Sequence, residues 1–513
     1  MRNEHSPAKE GLLLLIILST LSQALGFGYR VILSRWVGAE VMGLYQLVMP
    51  VYSLLLSFTA VGLTSAISNL TAQHLAFHNQ LGIHQTRGTC LRFFALLLLP
   101  LGIIVILCSD AISVTLLGDA RTQLGLILLV PCVALTGIEN LHKHLFYGGG
   151  QVRPPAVVEF LEQIIRTAAV LGLLALFLPQ YPERVVGLIV AGMIFCEIFS
   201  AVTLLLLYRR QRRISGLSGP GEPASVRRAR VAAIAVPVGA NAVLGNLMNA
   251  VNSALVPQML MKSGLERPDA VAQLGVVCGM TLPMLALPTF FLGPLNLVLL
   301  PRMARAAALN KNEQVGRMLH RALTLVSILT LPTLALMVVL GEDLGQLLFN
   351  RRDVAQFLLP LALTMALSTF CSLLCGTLNA IGRQSAVAAL SFGGNLIHSL
   401  LLLALVPIPG VGMAGYAAGA LLSTGFEFLV ALFLTLRHGN LHKEWFSWLI
   451  APGLSALLAG LCGNLLYRYL MDSGIAVSLS ALGTILFCGI LYLAALHALG
   501  IQVKDIWGKK KSA

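Results

Sequence analysis

Runs of about 20 apolar residues recur from one end of this chain to the other, and that repetition constrains the fold more than any other feature. A helix needs roughly 20 such residues to cross a hydrocarbon layer of about 30 Å. Runs of this kind fall near 11–33, 44–70, 90–109, 123–147, 156–178, 184–208, 231–260, 271–300, 317–340, 354–380, 384–406, 411–436, 446–470 and 475–500. Inside a bilayer the backbone must satisfy its own hydrogen bonds, so long runs become helices and not open strands. The expected fold is therefore all-α and integral to a membrane, with fourteen transmembrane helices. The first run follows a polar leader, MRNEHSPAKE, with no small-residue cleavage site. It is expected to stay as a helix and not to be removed as a signal peptide.

Composition agrees. Of the 513 residues 57% are hydrophobic and 11% charged, against about 25% charged in an average soluble protein. That excludes an ordinary soluble enzyme, a disordered chain and a disulfide scaffold. The net charge of +14 suggests nucleic acid only if the cations share a polar domain, and no such domain exists here. The cations instead sort by side. With fourteen crossings, most of the 35 Lys and Arg fall on alternate segments that share a side with the leader, seven of them within 209–230. Positive charge marks the cytoplasmic side. Both termini are thus expected in the cytoplasm.

The segment RRQRRISGLSGPGEPASVRRAR (209–230) separates six helices from eight. Its Gly, Ser and Pro predict a flexible linker, whose arginines serve as a topology signal or lie along an anionic leaflet. Helices five and six also resemble helices eleven and twelve. QIIRT (163–167) matches NLIHS (395–399), VVGLIVAG (185–192) matches MAGYAAGA (413–420), and each copy then carries one intramembrane acid, Glu197 or Glu427. The expected organisation is an N-lobe of helices 1–6 (1–208), the basic linker (209–230), a C-lobe of helices 7–12 (231–437), and two extra helices with a basic cytoplasmic tail (438–513). Paired lobes with a site at their interface are the usual plan of an alternating-access transporter, which implies a central cavity.

Ionisable residues in a bilayer are costly and rarely face lipid. Arg30 and Arg35 close the first run; they bind an anion at a cavity mouth or snorkel to the interface. Glu159, Glu162 and Arg166 share one helix face by their spacing, either as a proton or sodium relay with an internal counter-ion or as a structural ion pair. Asn246, Asn249 and Asn252 form a polar stripe that lines a wet cavity or bonds helices together. His398 lies mid-span, as a site residue or a hydrogen-bonded packing residue. Glu139 near His142 and His144, and the pair His74 and His78, fit an interfacial role, since further zinc ligands are missing. The nine Cys lie almost entirely in apolar runs, without a CxxC, and behave as packing residues. No P-loop, GxSxG or HExxH occurs, so no catalytic residue, metal or cofactor is expected.

The segment GFGYRVILSRWVGAEVMGLYQLVMPVYSLLLSFTAVGLTSAISNL (26–70) resembles the start of the stage V sporulation protein B group. These are polysaccharide-biosynthesis membrane proteins of the multidrug/oligosaccharidyl-lipid/polysaccharide (MOP) exporter superfamily. GMTLPMLALPTFFLGPLNLVLLPRMARA (279–306), TLNAIGRQ (377–384) and VPIPGVGMAGYAAGALLST (406–424) agree with it. The resemblance implies two six-helix lobes of the MATE and MurJ type plus two C-terminal helices, around a cavity that opens alternately to each face. It implies transport of a polyprenyl-pyrophosphate-linked saccharide, such as a precursor of peptidoglycan or another envelope polysaccharide. Arg30 and Arg35 stand where arginines line the cavity in relatives. The chain departs from the pattern at Gln23, where an Arg is usual, at Asn252, where an Asp is common, and at His398, where a Lys is common.

Arg30, Arg35 and Arg166 are then the expected ligands of the phosphates, because guanidinium groups fork onto phosphate oxygens. Asn246, Asn249, Asn252 and His398 suit the sugar. Glu159, Glu162, Glu197 and Glu427 are the candidates for coupling to H+ or Na+. The expected partners are the lipid-linked oligosaccharide, membrane lipids and cell-envelope synthesis proteins, with no nucleic acid. The alternatives are a multidrug cation antiporter of the MATE type and a membrane enzyme or scaffold. The first would favour acids over Arg in the opening helix, and the second a polar catalytic loop.

Overall fold

The structure is a computed structural model that describes residues 7–438 and 445–501, with side chains from residue 17 onward except at 215, 294, 297 and 298. The start of the leader and the basic tail lie outside the described residues. Among those residues every regular element is helical. Thirteen helices are long and apolar enough to cross a membrane. The first of them, Ile17–Ala76, runs for 60 residues, about 90 Å at 1.5 Å per residue, and contains both of the first two expected runs. Gly38, at φ 79° and ψ 176°, interrupts it, a backbone shape that side chains with a Cβ rarely take.

The chain forms two compact units, residues 1–258 with 266–275, and 259–265 with 276–513. The first contains α1 (Pro7–Leu56), α2 (Gly62–Ala76), α3 (Gln80–Leu107), α4 (Ser109–Ala111), α5 (Gln123–Gly148), α6 (Arg153–Phe177), α7 (Val185–Ser215), most of α8 (Ala224–Lys262) and α9 (Arg267–Leu274). The second holds α10 (Leu282–Ala286), α11 (Leu292–Ala308), α12 (Asn312–Val339), α13 (Gly341–Phe349), α14 (Leu358–Ala380), α15 (Gln384–Leu405), α16 (Gly412–His438), α17 (Ala451–Asp472) and α18 (Val477–Ala498).

The run 271–300 does not form the single helix expected of it. It breaks into α9, a π-helical stretch at Gly275–Thr281, α10, a 3-10 turn at Leu287–Thr289 and α11. Pro283 and Pro288 explain the breaks, since each removes a backbone donor and crowds the preceding turn.

The helices are apolar outward. On α3, Leu96, Leu99, Ile103 and Leu107 are exposed, while Cys90, Phe94, Leu98, Gly102 and Val105 are buried. A water-facing helix would show charge on its outer face; a lipid-facing one shows this pattern. In the first unit α7 packs along both α5 and α6, and α1 packs on α6 and α9. Leu63, Ile67, Phe94, Val133 and Leu141 anchor its core. In the second unit α14 packs on α12 and α16, α16 on α15, and α17 on α12 and α18. Phe370, Phe428 and Trp448 meet at its centre.

The segment expected to be a loose tether is tied down. Residues 209–215 continue α7 and 224–230 open α8, leaving only 216–223 between them. Those residues strap across the start of α3. Leu81 N donates to Ser218 O at 3.0 Å, Asn79 Nδ2 to Pro220 O at 3.0 Å, and Glu222 N to Gln85 Oε1 at 3.2 Å. Arg227 locks the strap, donating to Thr89 Oγ1 at 2.7 Å and to Gln85 Oε1 and Glu222 O at 2.9 Å.

Candidate functional site: a buried ionic cluster beside the first-helix arginines

The expected face of Glu159, Glu162 and Arg166 exists on α6, and the packing of α7 between α5 and α6 makes it part of a larger cluster. Arg166 holds Glu162 one turn back on its own helix, reaches Glu197 Oε1 on α7 at 3.4 Å, and donates from Nε to Cys196 Sγ at 3.3 Å. From α5, Lys143 Nζ lies 2.7 Å from Glu139 Oε1, 3.8 Å from Glu162 Oε2 and 3.9 Å from Glu159 Oε2. Glu139, Glu162 and Glu197 are buried, while Glu159 is exposed at the edge.

Four carboxylates thus face two cations, a formal charge of −2 in a place poor in water. Glu162 Oε2 and Glu197 Oε2 are buried with no hydrogen-bond partner among the described residues. The cluster is therefore built to take up positive charge. Glu162, Cys196 and Glu197 bring three donor atoms within 4.8 Å of one another, but the Arg166 guanidinium already occupies that space, which disfavours a transition metal.

Arg30 and Arg35 lie on α1 of the same unit, Arg30 half-buried and Arg35 exposed. Arg30 and Arg166 both act electrostatically on the buried Tyr29 and Tyr45, so Arg30 and the cluster share one neighbourhood. The three asparagines of the stripe have different surroundings. Asn246 Nδ2 donates to Ser57 Oγ at 2.5 Å, at the π-helical turn of the long first helix; Asn249 is exposed and Asn252 buried. His398 and Glu427 belong to the second unit. His398 Nδ1 lies 3.4 Å from Ser423 Oγ, and its ring meets Tyr416 edge-on at 5.5 Å. Glu427 packs directly against Gly394, where a Cβ would strike the carboxylate.

Lys143 and Glu139 were not singled out as site residues from the sequence. The available signal was E-x-x-x-K within an apolar run, a spacing that pairs charges on one helix face. His142 and His144 pointed instead to an interface. His142 is in fact buried, with Nε2 accepting from Arg87 Nε at 2.9 Å, and His74 is buried against Thr86.

This is the architecture of a polytopic helical membrane protein. Residues 8–307 match the family described as polysaccharide biosynthesis protein, and the chain belongs to that family. It is 24% identical to stage V sporulation protein B of Bacillus subtilis (strain 168) over 413 residues, covering 80% of this chain and 79% of the relative. It is 23% identical to sporulation protein YkvU of the same organism over 355 residues, covering 68% and 77%. Among solved structures it shares its fold with the lipid II flippase MurJ in an inward closed conformation, with TM-score 0.68, 14% identity and 95% of this chain and 100% of that one covered. An inward-facing MATE family transporter of the MOP superfamily gives TM-score 0.64 and 12% identity, with 84% and 99% covered.

Proposed function

We propose that the protein is a flippase that carries a polyprenyl-pyrophosphate-linked saccharide across the bacterial cytoplasmic membrane by alternating access. The observation that carries this reading is Arg30, a half-buried guanidinium within an apolar helix of a polysaccharide-biosynthesis family member. A diphosphate headgroup needs such a fork in a water-poor cavity. Arg35 and Arg166 add to the field, and Asn246, Asn249, Asn252 and His398 offer amide and imidazole partners for sugar hydroxyls. The long first helix counts as two crossings, giving fourteen in all with both termini cytoplasmic. Proteins of envelope synthesis would supply the substrate.

Coupling falls to the carboxylates. Glu162 and Glu197, with Glu159 at the edge, sit in a cluster with two cations too few, and H+ or Na+ restores the balance. Glu427 is the corresponding acid of the second unit. A MATE-type cation antiporter is the second reading, favoured by the same buried acids and by the fold shared with MATE transporters.

The test is headgroup accessibility in proteoliposomes with a panel of polyprenyl-linked sugars. Wild-type protein should move at least one of them, and Arg30→Ala should abolish movement while inserting normally. Full activity in Arg30→Ala would sink the anion-binding role; organic-cation efflux without lipid movement would establish the second reading.

A further inference from the structure

A cavity of about 70 Å³ opens in the first unit between the end of α2, the start of α3, the end of α5 and the end of α7, where the strap begins. That is far more than the roughly 15 Å³ one water requires. Gln80, His84, Gln151, Tyr208, Gln211 and Arg212 supply its polar wall, and none of the residues lining it is acidic.

The wall is braced from behind. Arg87 lies over the Tyr208 ring, 4.4 Å from its centroid, and donates from Nε to His142 Nε2 at 2.9 Å. His142 Nδ1 donates to Ile138 O at 2.6 Å, which fixes the tautomer that accepts from Arg87. Tyr208 Oη lies 2.9 Å from His84 Nδ1. Gln211 Oε1 is buried without a hydrogen-bond partner among the described residues; turned end for end, the amide presents its NH2 to a ligand. The cavity thus offers one forked cation, a second cation behind an aromatic ring, an imidazole, a phenol and three amides. Its rim is greasy: Leu75 and Leu217 line it, and neighbouring Phe77 and Ile214 are 82% and 77% exposed. Exposed apolar side chains among cations suit a lipid surface.

We propose that this cavity binds a phosphate group, gripped by Arg212 and His84 with Tyr208 and the glutamine amides as further donors. The apolar rim makes the headgroup phosphate of an anionic phospholipid its natural source, and free phosphate is the other. The site is separate from the ionic cluster and does not depend on what the protein transports.

The test uses the full chain, purified in detergent and titrated with inorganic phosphate, and in nanodiscs of phosphatidylcholine with and without phosphatidylglycerol. Unfolding temperature is read throughout. At least one phosphate source should raise it saturably. Response to phosphatidylglycerol alone assigns the site to lipid, and response to inorganic phosphate assigns it to the free ion. The double variant His84→Gln/Arg212→Gln should weaken the apparent affinity by about tenfold or more, the scale of losing a charged hydrogen bond. Arg210→Gln, on the same helix but outside the cavity lining, should leave it unchanged. An unchanged midpoint in the double variant overturns the proposal, as does a wild-type protein that answers to neither source. Native mass spectrometry of the wild type provides a check free of any variant: a single displaceable phosphate-bearing adduct is required, and its absence is equally fatal.

Discussion

The Arg166 guanidinium on α6 reaches Glu197 on α7, Nη2 to Oε1 at 3.4 Å, while also holding Glu162 one turn back on its own helix. One side chain therefore staples two helices and neutralises part of a buried acidic set. Removing a single partner from a buried ion pair costs more than replacing the pair, because the survivor is left as an uncompensated charge.

Arg166→Ala should accordingly lose folded protein, and adding Glu162→Gln should restore it. Translocation should stay lost in the double variant if Arg166 also serves substrate. Detergent-extracted yield and headgroup accessibility, measured together, separate the two effects; recovery of transport along with yield would reduce Arg166 to a structural partner.

Lys143 answers to the same logic on α5. Lys143→Met should destabilise the protein by about 3–5 kcal/mol, the range for a broken buried pair. Combining it with Glu139→Gln should recover much of that loss. A double-mutant cycle on thermal unfolding gives the coupling, and simple additivity would show that the two residues do not interact.

Glu427 and Gly394 make a packing prediction in the second unit. A Cβ at residue 394 meets the Glu427 carboxylate head-on, so Gly394→Ala should cost about 1–3 kcal/mol by overpacking. Glu427→Ala in the same chain should relieve it. An unaffected unfolding temperature in Gly394→Ala would mean that the carboxylate swings away freely.

Outside the membrane-spanning helices, Asp119 caps the 3-10 turn before α5. Burial pushes its carboxyl up, but the hydrogen bonds and charge of Arg121 outweigh this and hold it below the usual range. A carboxyl lowered in the folded state adds stability above its unfolded pKa of about 3.9, and that stability is lost as pH falls through the folded value. The unfolding temperature of wild type should exceed that of Asp119→Asn at pH 6, and the gap should close as the pH is taken below 4. A gap independent of pH would assign the effect to the cap alone.

The strap supplies a fifth prediction. Trypsin has seven arginines to cut within 209–230, yet Arg227 is engaged with Thr89, Gln85 and Glu222 O. Arg227→Ala should be nicked several-fold faster in this segment than wild type, and equal rates would show that the strap opens regardless.

Much of this was legible in the sequence, for physical reasons. A bilayer forces apolar runs into helices, so their helical character and rough limits follow from length alone. The spacing of Glu162 and Arg166 by four residues made their pairing visible. What could not be seen was tertiary. Glu197 joins them only because α7 packs along α6, and Lys143 joins because α5 lies on the other side of α7. The breaks at 275–291 follow from prolines whose effect depends on where neighbouring helices re-satisfy the freed carbonyls. The strap was misjudged because Gly, Ser and Pro report the freedom of an isolated chain, not the carbonyls and side chains of α3 that it meets.

That strap changes how α8 can move. With its first turn pinned to α3 through Arg227 and Arg230 anchored to Gln73 and Glu222, the α7–α8 connection is a stiff elbow. Any swing of α8 must drag the ends of α2 and α3 along or first break the elbow's bolts, so these three helices are geared together.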